Sequence, residues 1–300
     1  MIRILIIAPN WIGDAVMSQP LLATLKVIYP QSQIDVLASP WVAPIYRACT
    51  EVHQVLEARL EHQQLQWGLR KQLAKQLESN RYDACFILPN SLKSALIPWL
   101  ANIPLRIGYR GEMRFGLINL SLDNPSKTNR PPMVNHYLAL CDLMEHPEGI
   151  EINTSVDPKL NISPAAKQSV STKLQAVAIE KKSIYVLCPG AEYGVTKRWP
   201  TERFAALAQQ LIANEADARV ILLGSKGDYA LGESIRAQAN NDVKIYNWCG
   251  DTTLDEAIAL IGMSKALVSN DSGLMHLAAA AGVPTAVSCT TWRLATYCRP

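Results

Sequence analysis

Apolar and polar residues alternate along the chain in blocks that predict strands and helices in succession. Residues 2–8 are apolar except for Arg3, as in a strand that is buried on both faces of a sheet. Leucines recur at every fourth position from Leu65 to Leu77, which predicts a helix over residues 65–78. Strands that alternate with helices favour a parallel sheet with right-handed crossovers. The other elements predicted in the first half are helices at 15–28, 42–49, 91–100 and 134–144, and strands at 34–38, 51–56 and 82–88.

The rhythm lapses at residues 148–164, where Pro and Asn interrupt short apolar runs, as is typical of a linker. Beyond it the alternation restarts, and 300 residues suit two domains of about 150 each. We therefore predict two doubly wound α/β domains in tandem, residues 1–155 and 156–300. Such pairs bind ligands at the carboxyl ends of their strands, in the cleft between the domains. The elements predicted in the second half are helices at 165–179, 201–214, 230–239 and 254–262, and strands at 183–188, 219–223, 243–246, 266–269 and 285–288.

Composition excludes several classes of protein. With 49% hydrophobic and 18% charged residues, the chain can bury sizeable cores and is not a disordered protein. A net charge of +3 is too small to indicate a nucleic-acid binder. No stretch reaches the roughly 18 apolar residues that a membrane span needs. Seven cysteines without CxxC spacing, several of them inside apolar runs, indicate buried thiols in a reducing compartment, so we predict a cytoplasmic protein.

Contact with a membrane surface is a further option for the predicted helix at 91–100. Its residues Ile97, Trp99 and Leu100 precede Arg106 and Arg110, and such a combination suits a membrane interface. Packing of the helix inside its own domain is the alternative.

Two unusual turns follow the first predicted strand of each domain. The first turn carries Gly13 and Asp14, and a carboxylate there can accept a proton from a bound hydroxyl or simply cap the helix. The second turn, residues 189–200, carries Lys197, which can neutralise a diphosphate as it leaves; a solvated loop lysine is the alternative. Neither turn matches the dinucleotide fingerprint GxGxxG or the phosphate loop GxxxxGK[ST], which weighs against dehydrogenases and NTPases.

A third turn, residues 270–276, joins a short apolar strand to a helix of small residues. The first N–H groups of a helix have no partner within it, and the helix dipole adds partial positive charge, so a diphosphate can dock there. Asp271 and Ser272 are suitable caps, Gly273 allows a ligand close to the backbone, and His276 can point back toward the same opening. An ordinary capped helix is the alternative.

Four ordered motifs together resemble the lipopolysaccharide heptosyltransferases of glycosyltransferase family 9. They are NxGD near the start, LPNSLKSALIPWLANIPLRIGYRGEMRFGLIN at 88–119, PGA..G..KRWP at 189–200 and NDSGLMHLAAA at 270–280. The resemblance implies the GT-B fold, two Rossmann-like doubly wound parallel-sheet domains that face a central cleft. It also implies an inverting, metal-independent transfer of L-glycero-D-manno-heptose from ADP-heptose to the first heptose of the Kdo-lipid A inner core, without a cofactor.

The resemblance also implies roles for individual residues. Asp14 corresponds to the catalytic base, and Lys197 to a catalytic lysine that contacts the donor diphosphate. The residues predicted to bind the donor are Gly13, Thr196, Lys197, Asp271, Ser272, Gly273, Leu274 and His276. The first domain is expected to bind the acceptor, whose phosphates and carboxylates suit basic and hydroxyl side chains. The residues predicted to bind the acceptor are Asn90, Ser91, Lys93, Arg110 and Arg114.

The segment 286–300 departs from the family pattern, so we predict a truncated second domain with an intact donor motif and impaired activity. Alternatives are heptosyltransferase I or III with a different acceptor, a truncated form that only binds ligand, and a non-enzymatic two-lobed binding protein. The donor adenosine is expected near the turns at 224–226 and 250–254. We further expect a monomer that binds neither nucleic acid nor metal and meets its lipid-linked acceptor at the inner face of the inner membrane.

Overall fold

The computed structural model describes residues 1–60, 64–126, 128–145, 153–191 and 198–288. The chain divides into two compact units, Met1–Lys159 and Leu160–Pro300. The first unit therefore ends at Lys159, where the sequence predicted a boundary at residue 155. In each unit the sheet is built from parallel strands with helices between them, so the predicted α/β class is confirmed.

The first unit contains a six-stranded parallel sheet in the order β3-β2-β1-β4-β5-β6. The strand order changes direction between β1 and β4, which makes that point the topological switch at which doubly wound sheets bind ligands. Its strands are β1 (Arg3–Ile7), β2 (Gln33–Ala38), β3 (Val52–Glu57), β4 (Ala84–Ile87), β5 (Leu105–Tyr109) and β6 (Leu120–Leu122). Its helices are α1 (Ile12–Met17), α2 (Gln19–Ile28), α3 (Ala43–Arg47), α4 (Trp67–Glu78), α5 (Leu92–Leu100) and α6 (Met133–Leu138), the last followed by a 3₁₀ turn at Ala139–Leu143.

The helix predicted at 15–28 is in fact two helices that meet at Ser18. Pro20 lies in the first turn of α2, and because proline has no N–H it fits the start of a helix and not its interior. The buried Ser18 hydroxyl donates to the carbonyl of Ala15 at 2.8 Å and is 2.9 Å from the hydroxyl of Tyr46. The break therefore sets the short helix α1, which carries Asp14, apart from α2.

Strands β5 and β6 were not predicted, because they lack the long apolar run that marks the central strands. Gly108 interrupts β5, and a Cβ at this position would lie 3.0 Å from the Ile87 carbonyl, so only glycine fits beside β4. Strand β6 has three residues, none of them fully buried. The predicted membrane patch is also wrong at Ile97, which is 1% exposed and packs in the core, while Trp99 is 43% exposed.

The second unit contains a five-stranded parallel sheet in the order β11-β10-β7-β8-β9, with its switch point between β7 and β10. The bounds of α8 and α10 are those predicted from the sequence. Its helices are α7 (Pro164–Ala176), α8 (Thr201–Asn214), α9 (Tyr229–Gln238), α10 (Leu254–Gly262) and α11 (Gly273–Ala280). Its strands are β7 (Ser183–Cys188), β8 (Ala218–Leu222), β9 (Ile245–Asn247), β10 (Ala266–Asn270) and β11 (Thr285–Ser288).

Several predictions fall partly or wholly outside the described residues. They are the linker at 146–152, Thr196 and Lys197, and the divergent tail at 289–300. The five cysteines that the structure describes are all buried and unbridged, as the sequence predicted: Cys49, Cys85, Cys141, Cys188 and Cys249. Within the described ranges, no helix combines the length and apolar character required to cross a bilayer.

Candidate active site

The turn between β10 and α11 exposes the N-terminus of a helix. Ser272 occupies the cap position in an extended conformation (φ −144°, ψ 168°), but its side chain forms no capping hydrogen bond. Its hydroxyl instead lies 3.0 Å from the hydroxyl of Ser269. The side-chain cap predicted for Ser272 is therefore wrong. Because no capping side chain takes up the first N–H groups of α11, they can bind an anion such as a diphosphate.

Asn270, the last residue of β10, is fully buried and holds this turn to its neighbours. Its Nδ2 donates to the carbonyl of Pro189 at 2.7 Å. Its Oδ1 accepts from the backbone N–H of Trp199 at 2.9 Å and from the Ser288 hydroxyl at 2.8 Å. Both described flanks of segment 192–197 are therefore bonded to one side chain. The sequence signal was an asparagine directly after an apolar strand, but no role was predicted for it.

His276 lies in the first turn of α11, where the five residues predicted to bind the donor in this turn are all half-buried. Burial lowers the pKa of the His276 imidazole, and the charge of Asp271 opposes that effect. The imidazole is therefore neutral at pH 7 and can donate a hydrogen bond from one ring nitrogen while the other accepts. It suits a site that already holds an anion at the helix terminus, since it brings no repulsive charge.

The turns after β7, β8 and β9 pack closely at the same edge of the second sheet. Asp228 Oδ2 accepts from the backbone N–H of Ser225 at 2.9 Å and from its hydroxyl at 2.7 Å. A Cβ on Gly190 would lie 2.7 Å from the Asp228 carboxyl, and Gly250 has a φ of +83°. These glycines allow the three turns to approach one another where the sequence predicts the adenosine. Asp228 was not predicted.

Asp14 lies in the first turn of α1 but is not its cap, because Trp11 occupies that position. It is half-buried, whereas Gly13 beside it is buried. Burial raises the pKa of the Asp14 carboxyl, and the positive charge of Arg130 opposes this. A carboxylate with increased proton affinity at the carboxyl end of β1 is suited to general-base catalysis.

A pocket of about 280 Å³ opens at the switch point of the first sheet. It lies between the residues that follow β1, such as Asn10, and those that follow β4, including Ser91 and Lys93. Two of the predicted acceptor residues therefore share one pocket. The hydroxyl of Ser91 also caps α5, accepting from the N–H of Ser94 at 3.3 Å, and Lys93 Nζ is 3.4 Å from the carbonyl of Gln64.

The geometry does not support the acceptor role predicted for Arg114. This residue is 3% exposed, and its guanidinium donates to the carbonyl of Pro89 at 2.7 Å and to Asn90 Oδ1 at 3.1 Å. It therefore braces the loop after β4 from inside the unit and uses the Asn90 carbonyl to do so. Arg110 is exposed and pairs with Asp123 at 2.8 Å, so it stays available at the surface. A search of the described ranges finds no group of three or more His, Cys, Asp or Glu side chains that could hold a metal ion.

Comparisons with known proteins agree with this geometry. The sequence model of glycosyltransferase family 9 (heptosyltransferase) matches residues 70–287. The lipopolysaccharide heptosyltransferases 2 of Escherichia coli K12 and Salmonella typhimurium LT2 are 40% and 42% identical to the chain, over 94% of its length and 81% of theirs. The solved structure of E. coli ADP-heptose LPS heptosyltransferase II has a TM-score of 0.82 at 38% identity, covering 95% of this chain and 84% of that one.

Proposed function

Because the chain belongs to glycosyltransferase family 9, the heptosyltransferases, we propose that it transfers L-glycero-D-manno-heptose from ADP-heptose to the first heptose of the lipopolysaccharide inner core. The observation that carries the donor assignment is the uncapped N-terminus of α11, anchored by the buried Asn270. A helix terminus of this kind binds a diphosphate through backbone N–H groups. The donor diphosphate would lie there, beside the neutral His276.

Asp14 acts as the general base in this proposal. Its carboxylate removes the proton from the acceptor hydroxyl while that oxygen forms a bond to the anomeric carbon of the heptose. The bond between this carbon and the diphosphate oxygen breaks, the electron pair leaves with ADP, and the configuration at the anomeric carbon inverts. The raised pKa of Asp14 supports this role, because a stronger base takes the proton more readily.

The second unit stabilises the leaving diphosphate with groups that are in place before the reaction. The N–H groups at the start of α11 face the charge that develops on the phosphate oxygens, as donors do in an oxyanion hole. Lys197, which lies outside the described residues, is proposed to add a positive charge to the same phosphates. The described flanks of its segment are fixed by Asn270.

We further propose that the enzyme acts as a monomer in the cytoplasm, at the inner face of the inner membrane. Exposed apolar side chains on the first unit support surface association: Met113 and Phe115 are 82% and 84% exposed in the loop between β5 and β6. Apolar and aromatic side chains at that exposure can enter the interfacial layer of a bilayer. Sedimentation with vesicles of anionic phospholipid tests this, and binding no stronger than that of a serum protein would contradict it.

An acceptor series tests the proposed reaction. The protein is incubated with ADP-heptose and with inner-core acceptors that carry no heptose, one heptose or two, and the release of ADP is followed. We expect turnover only on the acceptor with one heptose, and a product whose new linkage has the inverted anomeric configuration by NMR. Preference for the heptose-free acceptor would indicate heptosyltransferase I. Binding of ADP-heptose with no turnover on any acceptor would indicate a protein that only binds ligand.

A further inference from the structure

Arg70 is a buried cation in the first turn of α4. It is 4% exposed, and its Nε and Nη1 donate to the carbonyls of Leu65 and Lys93, each at 2.7 Å. Both partners are neutral, and no carboxylate among the described residues forms an ion pair with it. Burial alone accounts for the lowered pKa of its guanidinium. A buried charge without a counter-ion is costly, so a position of this kind calls for an anion from outside the fold.

Arg70 lines the 280 Å³ pocket at the switch point of the first sheet. Ser39, which follows β2, lines the same pocket and is 7% exposed. Its hydroxyl is buried and has no hydrogen-bond partner within the described part of the chain. Unpartnered buried hydroxyls are rare and need an explanation. A ligand in the pocket that accepts this hydrogen bond would supply one.

The charge of the pocket limits the ligand to a small net negative charge. Lys93 contributes a second positive charge beside Arg70, and Glu112 on the same lining contributes one negative charge. Glu112 Oε2 accepts from the backbone N–H of Leu92 at 2.8 Å, which holds the carboxylate in place. Two positive charges and one negative charge leave a net charge of +1. A carboxylate matches this better than a phosphate dianion, which Glu112 would repel.

We propose that Arg70, Lys93 and Ser39 form a subsite that binds one carboxylate of a sugar acid in the acceptor glycan. The guanidinium and the ammonium supply charge-assisted hydrogen bonds, and the serine hydroxyl donates a further one. The subsite rests on the glycosyltransferase function proposed above. It would position the acceptor and take no part in the bond changes, so its loss affects acceptor binding and not the chemical step.

The test compares steady-state kinetics on three forms of one mono-heptosylated acceptor: the natural form, its carboxyl methyl ester and a phosphatase-treated form. The variants are Ser39→Ala and Lys93→Gln, which remove side chains outside the core, and Arg70→Lys, which keeps the charge but not the second carbonyl contact. Lys75→Gln, on the exposed face of the same helix α4, is the control.

On the natural acceptor, Ser39→Ala and Lys93→Gln should raise the acceptor KM about tenfold and leave kcat and the donor KM unchanged. On the methyl ester, the wild type should show the raised KM too, and the variants should add nothing. Equal effects of the variants on acid and ester would overturn the proposal, as would a requirement for the phosphates and not the carboxylate. Absence of ADP release by the wild type on every acceptor would overturn the proposed function, and the subsite with it.

Discussion

The Nδ2 of Asn270 donates a 2.7 Å hydrogen bond to the carbonyl of Pro189, across the switch point of the second sheet. Pro189 follows β7, and Asn270 ends β10, which is the strand beside it. The bond therefore joins the two turns from which a donor diphosphate would be held. The same asparagine accepts from Trp199 and Ser288, so four segments depend on one buried amide.

Asn270→Ala should destabilise the second unit and weaken ADP binding. The substitution leaves the Pro189 carbonyl and the Trp199 N–H without their partner inside the protein. Each such unpaired buried group costs about 1 to 3 kcal/mol, so we expect a loss of roughly 2 to 4 kcal/mol in the free energy of unfolding. Urea denaturation measures this loss, and calorimetry with ADP should show binding at least about tenfold weaker.

Ser288→Ala is the matched control, because it removes one hydrogen bond to Asn270 and keeps the bonds to Pro189 and Trp199. Its effect on unfolding should stay near 1 kcal/mol or less, with ADP binding close to that of the wild type. If Asn270→Ala binds ADP as tightly as Ser288→Ala does, the amide has no part in forming the donor site.

Arg130→Gln should move the acid limb of the activity profile to higher pH. The charge of Arg130 lowers the pKa of Asp14 and opposes the effect of burial, so its removal lets that pKa rise further. At a given pH below neutrality less of the base is then ionised. The profile of kcat/KM against pH measures the shift. Lys167→Gln, which removes a positive charge from the surface of α7, should leave the limb in place.

Glu256→Gln should destabilise the protein at pH 7 but much less at pH 3. Burial alone would raise the pKa of Glu256, but bonds from Lys173, Ser169 and the N–H of Thr253 outweigh it and hold the pKa at about 2. The folded pKa thus lies below the unfolded value, so the stabilisation is present above about pH 4.5 and is lost as the pH falls toward 2.

Urea denaturation at the two pH values measures this difference. At pH 7 we expect Glu256→Gln to lose roughly 2 to 3 kcal/mol of unfolding free energy. Glu180→Gln, a substitution in an exposed turn of the same unit, should change little at either pH. Equal losses for Glu256→Gln at pH 7 and pH 3 would show that the charge of the carboxylate is not the source of its stabilisation.

Local signals in the sequence account for what was predicted, and contacts between distant segments account for what was missed. The bounds of α10 could be read because Thr253 and Glu256 form a capping box. The turn at 270–276 was found because it joins a strand to a helix within a few residues. By contrast, Arg70 and Ser39 lie 31 positions apart in the sequence and meet only at the edge of the folded sheet. Arg114 showed its charge in the sequence, but not the internal carbonyls that bind it.

The central claim is that Asp14 takes the proton from the acceptor hydroxyl while the second unit holds the donor. Its most direct test is the turnover of Asp14→Asn on the mono-heptosylated acceptor, measured beside the affinity of the same variant for ADP-heptose. Asparagine keeps the shape of the side chain but cannot accept the proton, so we expect kcat to fall by about 10² to 10⁴ while donor affinity stays at the wild-type value. Turnover within a few-fold of the wild type would contradict the account.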